Sequence, residues 1–202
     1  MDVDFSPVVR AMEQCPKKVI QRYAKAVLKK TDLAEKPPRR KYSFKAVNDA
    51  KDLYKLAGYL YAFEEYSLCY DVCAIYDHVI FNGDYTLWAF IAPLRHMQIG
   101  ILIREGKIDK AEAMLSVLKQ QELPLENQMN DWAFKYKNAM DFERHYQEAK
   151  EGMRTPSVVR YLIMNMGISC LEYIQMGYLP EKHEMMKEWM ERIFAFLRAE
   201  EK

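Results

Sequence analysis

The chain has 202 residues, half of them apolar and 13% aromatic, with a formal net charge of +1. That length and apolar content exclude wholesale disorder and allow a sizeable core in one or two domains. Seven glycines and eight prolines are too few for a protein built of β-turns, and the abundance of helix-forming residues makes an all-α fold the expectation.

In chain order, Ser6-Pro7 reads as a cap and first-turn proline opening a short helix to about Gln14. After Pro16, the stripe Val19, Ile20, Tyr23, Ala24 and Val27 predicts a second helix ending near Lys30. Thr31 to Lys41, with Pro37-Pro38, cannot continue it and is the natural linker, dividing a basic segment, 1–42, from a helical array, 43–202. A long helix follows from Ser43 to about Ala62, and a returning one carries Tyr66, Cys69, Tyr70, Cys73, Tyr76 and Val79. Asn82-Gly83-Asp84 ends it, and the next helix runs from Tyr85 to about Glu105 with a break expected just before Pro93.

Gly106 then separates that helix from one bearing Ile108, Ala111, Met114, Leu115 and Leu118, with Asp109 placing negative charge at its positive end. Further helices are read from about Leu125 (Met129, Trp132, Ala133, Tyr136), from Phe142 to Gly152, and from Pro156 to Gly177. Pro180 opens the last, where Met186, Met190, Ile193, Phe194 and Leu197 keep helical spacing and Lys182, Glu184, Lys187, Glu188, Glu191 and Arg192 form the polar face of a capping helix. The total is about ten helices and no strand.

The first large apolar residues after the hairpin turns, Tyr66, Ile108, Phe142 and Leu179, are 42, 34 and 37 residues apart. Small residues recur where paired helices would approach: Ala57 with Cys69, then Ala111, Ala133 and Cys170. On these residues the stretch from about Ser43 to Ala199 resembles a tetratricopeptide-repeat array, although His145 and Lys182 stand where that pattern favours alanine. The resemblance implies an α-α superhelix whose concave groove binds a protein or peptide ligand. Its register assigns Lys51, Tyr54, Tyr61, His96, Arg104, Asn127, Asn130, Lys137, Asn138 and Gln175 to that groove, a set rich in donors for carbonyls and carboxylates.

No phosphate loop, dinucleotide fingerprint, nucleophile elbow or zinc-protease motif occurs, so no catalytic, cofactor or metal residue is assigned and no enzyme is expected. Cys69 and Cys73 lie one turn apart on an apolar stripe and read as packing residues. The four cysteines lack paired spacing and the start of the chain lacks a secretory pattern, which gives an expectation of free thiols in the cytoplasm. No apolar run was expected to reach the roughly 20 residues of a membrane span.

Charge is uneven: Lys17 to Ala46 holds eleven basic residues against two acidic ones, +9, which leaves −8 for the rest. Either the basic segment lies on its own acidic body or it touches an acidic partner. An alternative function is therefore a nucleic-acid-associated regulator using Lys17, Lys18, Arg22, Lys25, Lys29, Lys30, Arg39, Arg40 and Lys41, and another is a small neutralising protein of the immunity type, suggested by the acidic body.

Overall fold

The computed structural model describes residues 3–32, 44–81, 85–122, 144, 147, 148, 151 and 156–199. Among these residues there are eight α-helices, one short 3₁₀ turn and no strand. The helices are α1 (Ser6–Gln14), α2 (Lys18–Asp32), α3 (Phe44–Ala62), α4 (Tyr66–Ala74), α5 (Tyr85–Arg104), α6 (Ile108–Glu122), α7 (Pro156–Met176) and α8 (His183–Ala199). The all-α expectation holds. The helices expected from Leu125 and from Phe142 lie outside the described residues, apart from isolated positions, as do Arg39, Arg40, Lys41 and most of the proline linker.

α3 and α5 form the middle of the molecule. α3 packs against α2, α4, α5, α7 and α8, and α5 packs against α3, α4, α6 and α7. The hairpin α3/α4 closes where the sequence places two small residues together: the Cys69 thiol donates to the Ala57 carbonyl at 3.3 Å, both residues fully buried. Gly106 makes the turn between α5 and α6 with φ +72, a conformation that any Cβ would strain.

α5 runs unbroken through Pro93, so the expected break is not there. A proline inside a helix costs about 3 kcal/mol, and burial of this one among four neighbouring helices offsets that cost. The same helix corrects the membrane expectation, because Thr86–Arg104 is long and apolar enough to cross a bilayer by length and composition. Here 67% of that window is buried against the rest of the chain. α4 is shorter than its apolar stripe suggested, ending at Ala74. Arg95 of α5 explains the stop: its guanidinium pairs with the Asp77 carboxylate and donates to the carbonyls of Tyr76 (2.9 Å), Asp77 (2.8 Å) and Val79 (3.2 Å), holding the chain in a turn. Pro180 opens the 3₁₀ turn Pro180–Lys182, and α8 follows from His183.

The N-terminal helices share the main core. Val8, Ala11, Ile20, Tyr23, Ala24 and Val27 belong to one buried cluster with residues of α3 to α8. Lys30 meets Asp52 at 2.5 Å and Asp49 at 3.8 Å, so part of the basic segment is neutralised by the acidic body.

The last hairpin sets the shape. α7 and α8 pack on each other, but α7 also lies across both α3 and α5, and α8 reaches α3, where Arg198 donates to the Ala62 carbonyl at 3.0 Å. A one-way stack of hairpins would keep its last unit away from its first, whereas this chain turns its last pair back over the inner faces of the earlier ones.

Candidate functional site

The groove positions read from the sequence fall into three groups. Asn127, Asn130, Lys137 and Asn138 lie outside the described residues. Lys51 and Arg104 keep solvent access: the Lys51 ammonium stands 5.9 Å from the Tyr161 ring, and the Arg104 guanidinium lies 4.7 Å over Tyr66. Tyr54, Tyr61 and His96 are 3%, 6% and 1% exposed, so they sit in the interior and not on an open surface.

The side of α3 and α5 on which these interior residues lie is covered by α7 and α8. The Tyr54 hydroxyl donates to Asn165 Oδ1 at 2.6 Å. Tyr61 is held edge-on between Tyr66 and Phe194, with ring centroids 5.5 and 5.7 Å away. Gln175 makes a two-bond clasp on His96: its Nε2 donates to the His96 carbonyl at 3.0 Å, which leaves its Oε1 to accept from His96 Nδ1 at 2.7 Å. Gly100 permits this approach, since a Cβ there would stand 2.7 Å from the Tyr61 hydroxyl and 3.4 Å from Gln175 Nε2. Along α7 the polar residues Tyr161, Asn165, Glu172 and Gln175 recur on one helical face, and two of them, Asn165 and Gln175, bond to α3 and α5.

Burial governs the titration of this interior. It drives the His96 imidazole down to about 4, against the opposing effect of the Gln175 hydrogen bond. Glu122, at the end of α6, is 2% exposed and burial pushes its carboxyl up to about 7. Trp88 lies near enough to counter part of that shift, yet neither the indole Nε1 nor Glu122 Oε2 has a hydrogen bond of normal geometry. Glu172 is likewise raised well above the usual carboxylate range, by burial first and then by the Glu122 charge. Both acids were missed by sequence reasoning: Glu122 follows Gln120 and Gln121, and Glu172, although set among Cys170, Leu171, Tyr173 and Ile174, reads as the polar position of an amphipathic helix.

Among the described residues no group of three or more His, Cys, Asp or Glu converges as a metal site. His78 is exposed and His183 Nε2 meets the Tyr178 carbonyl at 2.8 Å, while His145 lies outside the described residues. Cys15, Cys69, Cys73 and Cys170 are all free and buried, and burial lifts the Cys170 thiol to about 12, far from a reactive thiolate.

An open cavity lies between α4 with its trailing turn and α6. It encloses about 570 Å³ over a floor that includes Leu102 and Arg95. One wall is Tyr70, Asp77, Val79 and Ile80; the other is a single face of α6, carrying Lys110, Ala113, Met114, Val117, Leu118 and Gln121 at helical spacing. Ile80 and Val117 are 67% and 55% exposed at its rim. Val117 lies off the stripe of α6 that faces α5, which is the one trace this rim leaves in the pattern of α6. Arg95 is locked to Asp77 and to three carbonyls, so it fixes one wall and is not a free cation.

Neither a curated protein nor a solved structure matches the chain. Residues 6–135, from the start of α1 past the end of α6, match the model of DUF6707, a family of unknown function, and the chain belongs to that family.

Proposed function

We propose that this chain is a non-catalytic, cytoplasmic protein- or peptide-binding module of tetratricopeptide-like hairpins, and that its ligand surface is the groove between α4 and α6. The groove itself carries the reading: a preformed trough of about 570 Å³, mostly apolar with Asp77, Lys110 and Gln121 among its lining, and with two large aliphatic side chains exposed at the rim. Its α6 wall offers contacts at positions 110, 114, 117 and 121, a spacing that suits an amphipathic helix laid alongside. Three hairpins, α3/α4, α5/α6 and α7/α8, support the repeat reading, as does the close Ala57 to Cys69 approach. Tyr54, His96 and Tyr61 already contact Asn165, Gln175 and Phe194, which favours the α4–α6 groove over the α3 and α5 face as the ligand surface.

The test is affinity capture from lysate with the intact protein, with the double variant Ile80→Glu/Val117→Glu, and with Glu188→Lys on the outer face of α8. All three substituted side chains are exposed, and equal helicity by circular dichroism is required first. A partner retained by the wild type and by Glu188→Lys but lost with the double variant supports the groove. A partner held equally by all three overturns it.

A further inference from the structure

α2 divides its residues sharply. Val19, Ile20, Tyr23, Ala24 and Val27 are buried, while Lys18, Arg22, Lys25 and Lys29 are exposed. The four cations fall at i, i+4, i+7 and i+11, which sets them in one line about 16 Å long at 1.5 Å per residue. No acidic residue occurs between Lys17 and Thr31. Lys30, on the side towards α3, is engaged by Asp49 and Asp52, and the Arg22 guanidinium rests 4.7 Å over the Tyr23 ring. Among the described residues, Lys18, Lys25 and Lys29 make no ion pair. On the α3 side, Asp49 and Asp52 stand against Lys30, and Lys55 lies over the Tyr23 ring, so the unpaired cations of α2 form a line along its exposed face.

We propose that the exposed face of α2 binds the phosphate backbone of double-stranded DNA, without reading its sequence. A strip of positive charge complements a line charge better than a charged plane. A bilayer would also require α2 to insert apolar side chains, and those are committed to the core. Single strands are bound by cations interleaved with exposed aromatic rings, and the exposed face carries none, Tyr23 being only 8% exposed. A line of cations about 16 Å long runs alongside several successive phosphates of one strand, which are spaced about 3.4 Å along the B-form axis. The charge of −8 on the remainder of the chain repels a polyanion from other faces and orients approach to this one.

The experiment is fluorescence anisotropy of a labelled 20-base-pair DNA of arbitrary sequence with the full chain, at 50 and 200 mM salt. Four phosphate contacts give a log–log slope near −3.6, so affinity should fall roughly 150-fold between the two salts. Lys18→Gln/Arg22→Gln/Lys25→Gln/Lys29→Gln should lose binding at 50 mM, and Lys25→Gln/Lys29→Gln alone should halve the slope. A control lowered by the same charge elsewhere, Lys107→Gln/Lys119→Gln/Lys182→Gln/Lys187→Gln, should bind like the wild type, with helicity of all variants matched by circular dichroism. The proposal is overturned if the wild type does not bind at 50 mM salt, if the α2 variant binds like the wild type, or if the control loses as much. Tighter binding to duplex RNA of the same sequence, or to phosphatidylserine vesicles, overturns it equally.

Discussion

Replacing Glu122 by glutamine removes a proton-binding group from the interior while keeping its shape. In the unfolded chain this carboxyl ionises near its ordinary value of 4.5, whereas in the folded protein burial keeps it protonated up to about 7. Between those values the folded state holds a proton that the unfolded state has lost. The stabilisation is therefore complete below about pH 4.5 and is lost as pH rises through 7. At about 1.4 kcal/mol per pH unit, the span amounts to about 3 kcal/mol. Glutamine cannot ionise, so the variant should match the wild type near pH 4.5 and exceed it by about 3 kcal/mol above pH 7. His96 acts with the opposite sign: burial holds its imidazole near 4, so its contribution is present above 6.5 and is lost as pH falls. Because His96 is common to both proteins, the difference between their stability curves reports Glu122 together with the removal of its charge from beside Glu172. Urea unfolding followed by circular dichroism at pH 4.5, 5.5, 6.5 and 7.5 measures that difference. A difference that stays flat across the series would refute the assignment of Glu122 as a buried, proton-holding acid.

Gly100→Ala should destabilise by about 1–2 kcal/mol in thermal or urea unfolding, because the Tyr61 ring is held by Tyr66 and Phe194 and cannot yield to a methyl group 2.7 Å from its hydroxyl; a gain in stability would mean that helix propensity prevails there. Tyr54→Phe removes a buried donor to Asn165 and should cost about 1 kcal/mol, read from the same unfolding curves, and no change would show that bond to be immaterial. Arg95→Ala frees three carbonyls at the end of α4 and should accelerate hydrogen exchange in residues 75–81 while leaving α7 unaffected. The four buried thiols should react with a thiol reagent only at the rate of unfolding, and rapid labelling of any one would contradict its burial.

Local chemistry in the sequence carried much of the fold. The left-handed glycine stops at Gly106 and Gly177 were legible because each ends an apolar stripe, and both have positive φ. Ala57 and Cys69 were legible as a close approach because small residues permit one. Periodicity marks the side of α3 on which Tyr54 stands and the side of α5 on which His96 stands, and in the structure that side is covered and not open. What lies against that side was not legible, since the contact of Tyr54 with Asn165 spans 111 residues and leaves no local trace. Pro93 misled for a related reason. Its helix-breaking tendency is intrinsic to the residue, while the packing that overrides it comes from four separate helices. The open groove was half visible, because Val117 is aliphatic and off the core stripe, but the gap between α4 and α6 depends on the turn that Arg95 holds.

The return of α7 and α8 over α3 and α5 has a consequence in time. A ribosome makes the inner faces of α3 and α5 long before it makes the residues that cover them. From Glu122 to Ala199 there are 77 further residues, which at about 5–20 residues per second takes roughly 4–15 s of synthesis. For that interval the nascent chain presents Tyr54, Tyr61 and His96 without Asn165, Phe194 and Gln175 against them, and all three are buried once the chain is complete. Premature termination between α6 and α7 would make the exposure permanent, so a shortened product of this chain would be sticky where the finished one is not.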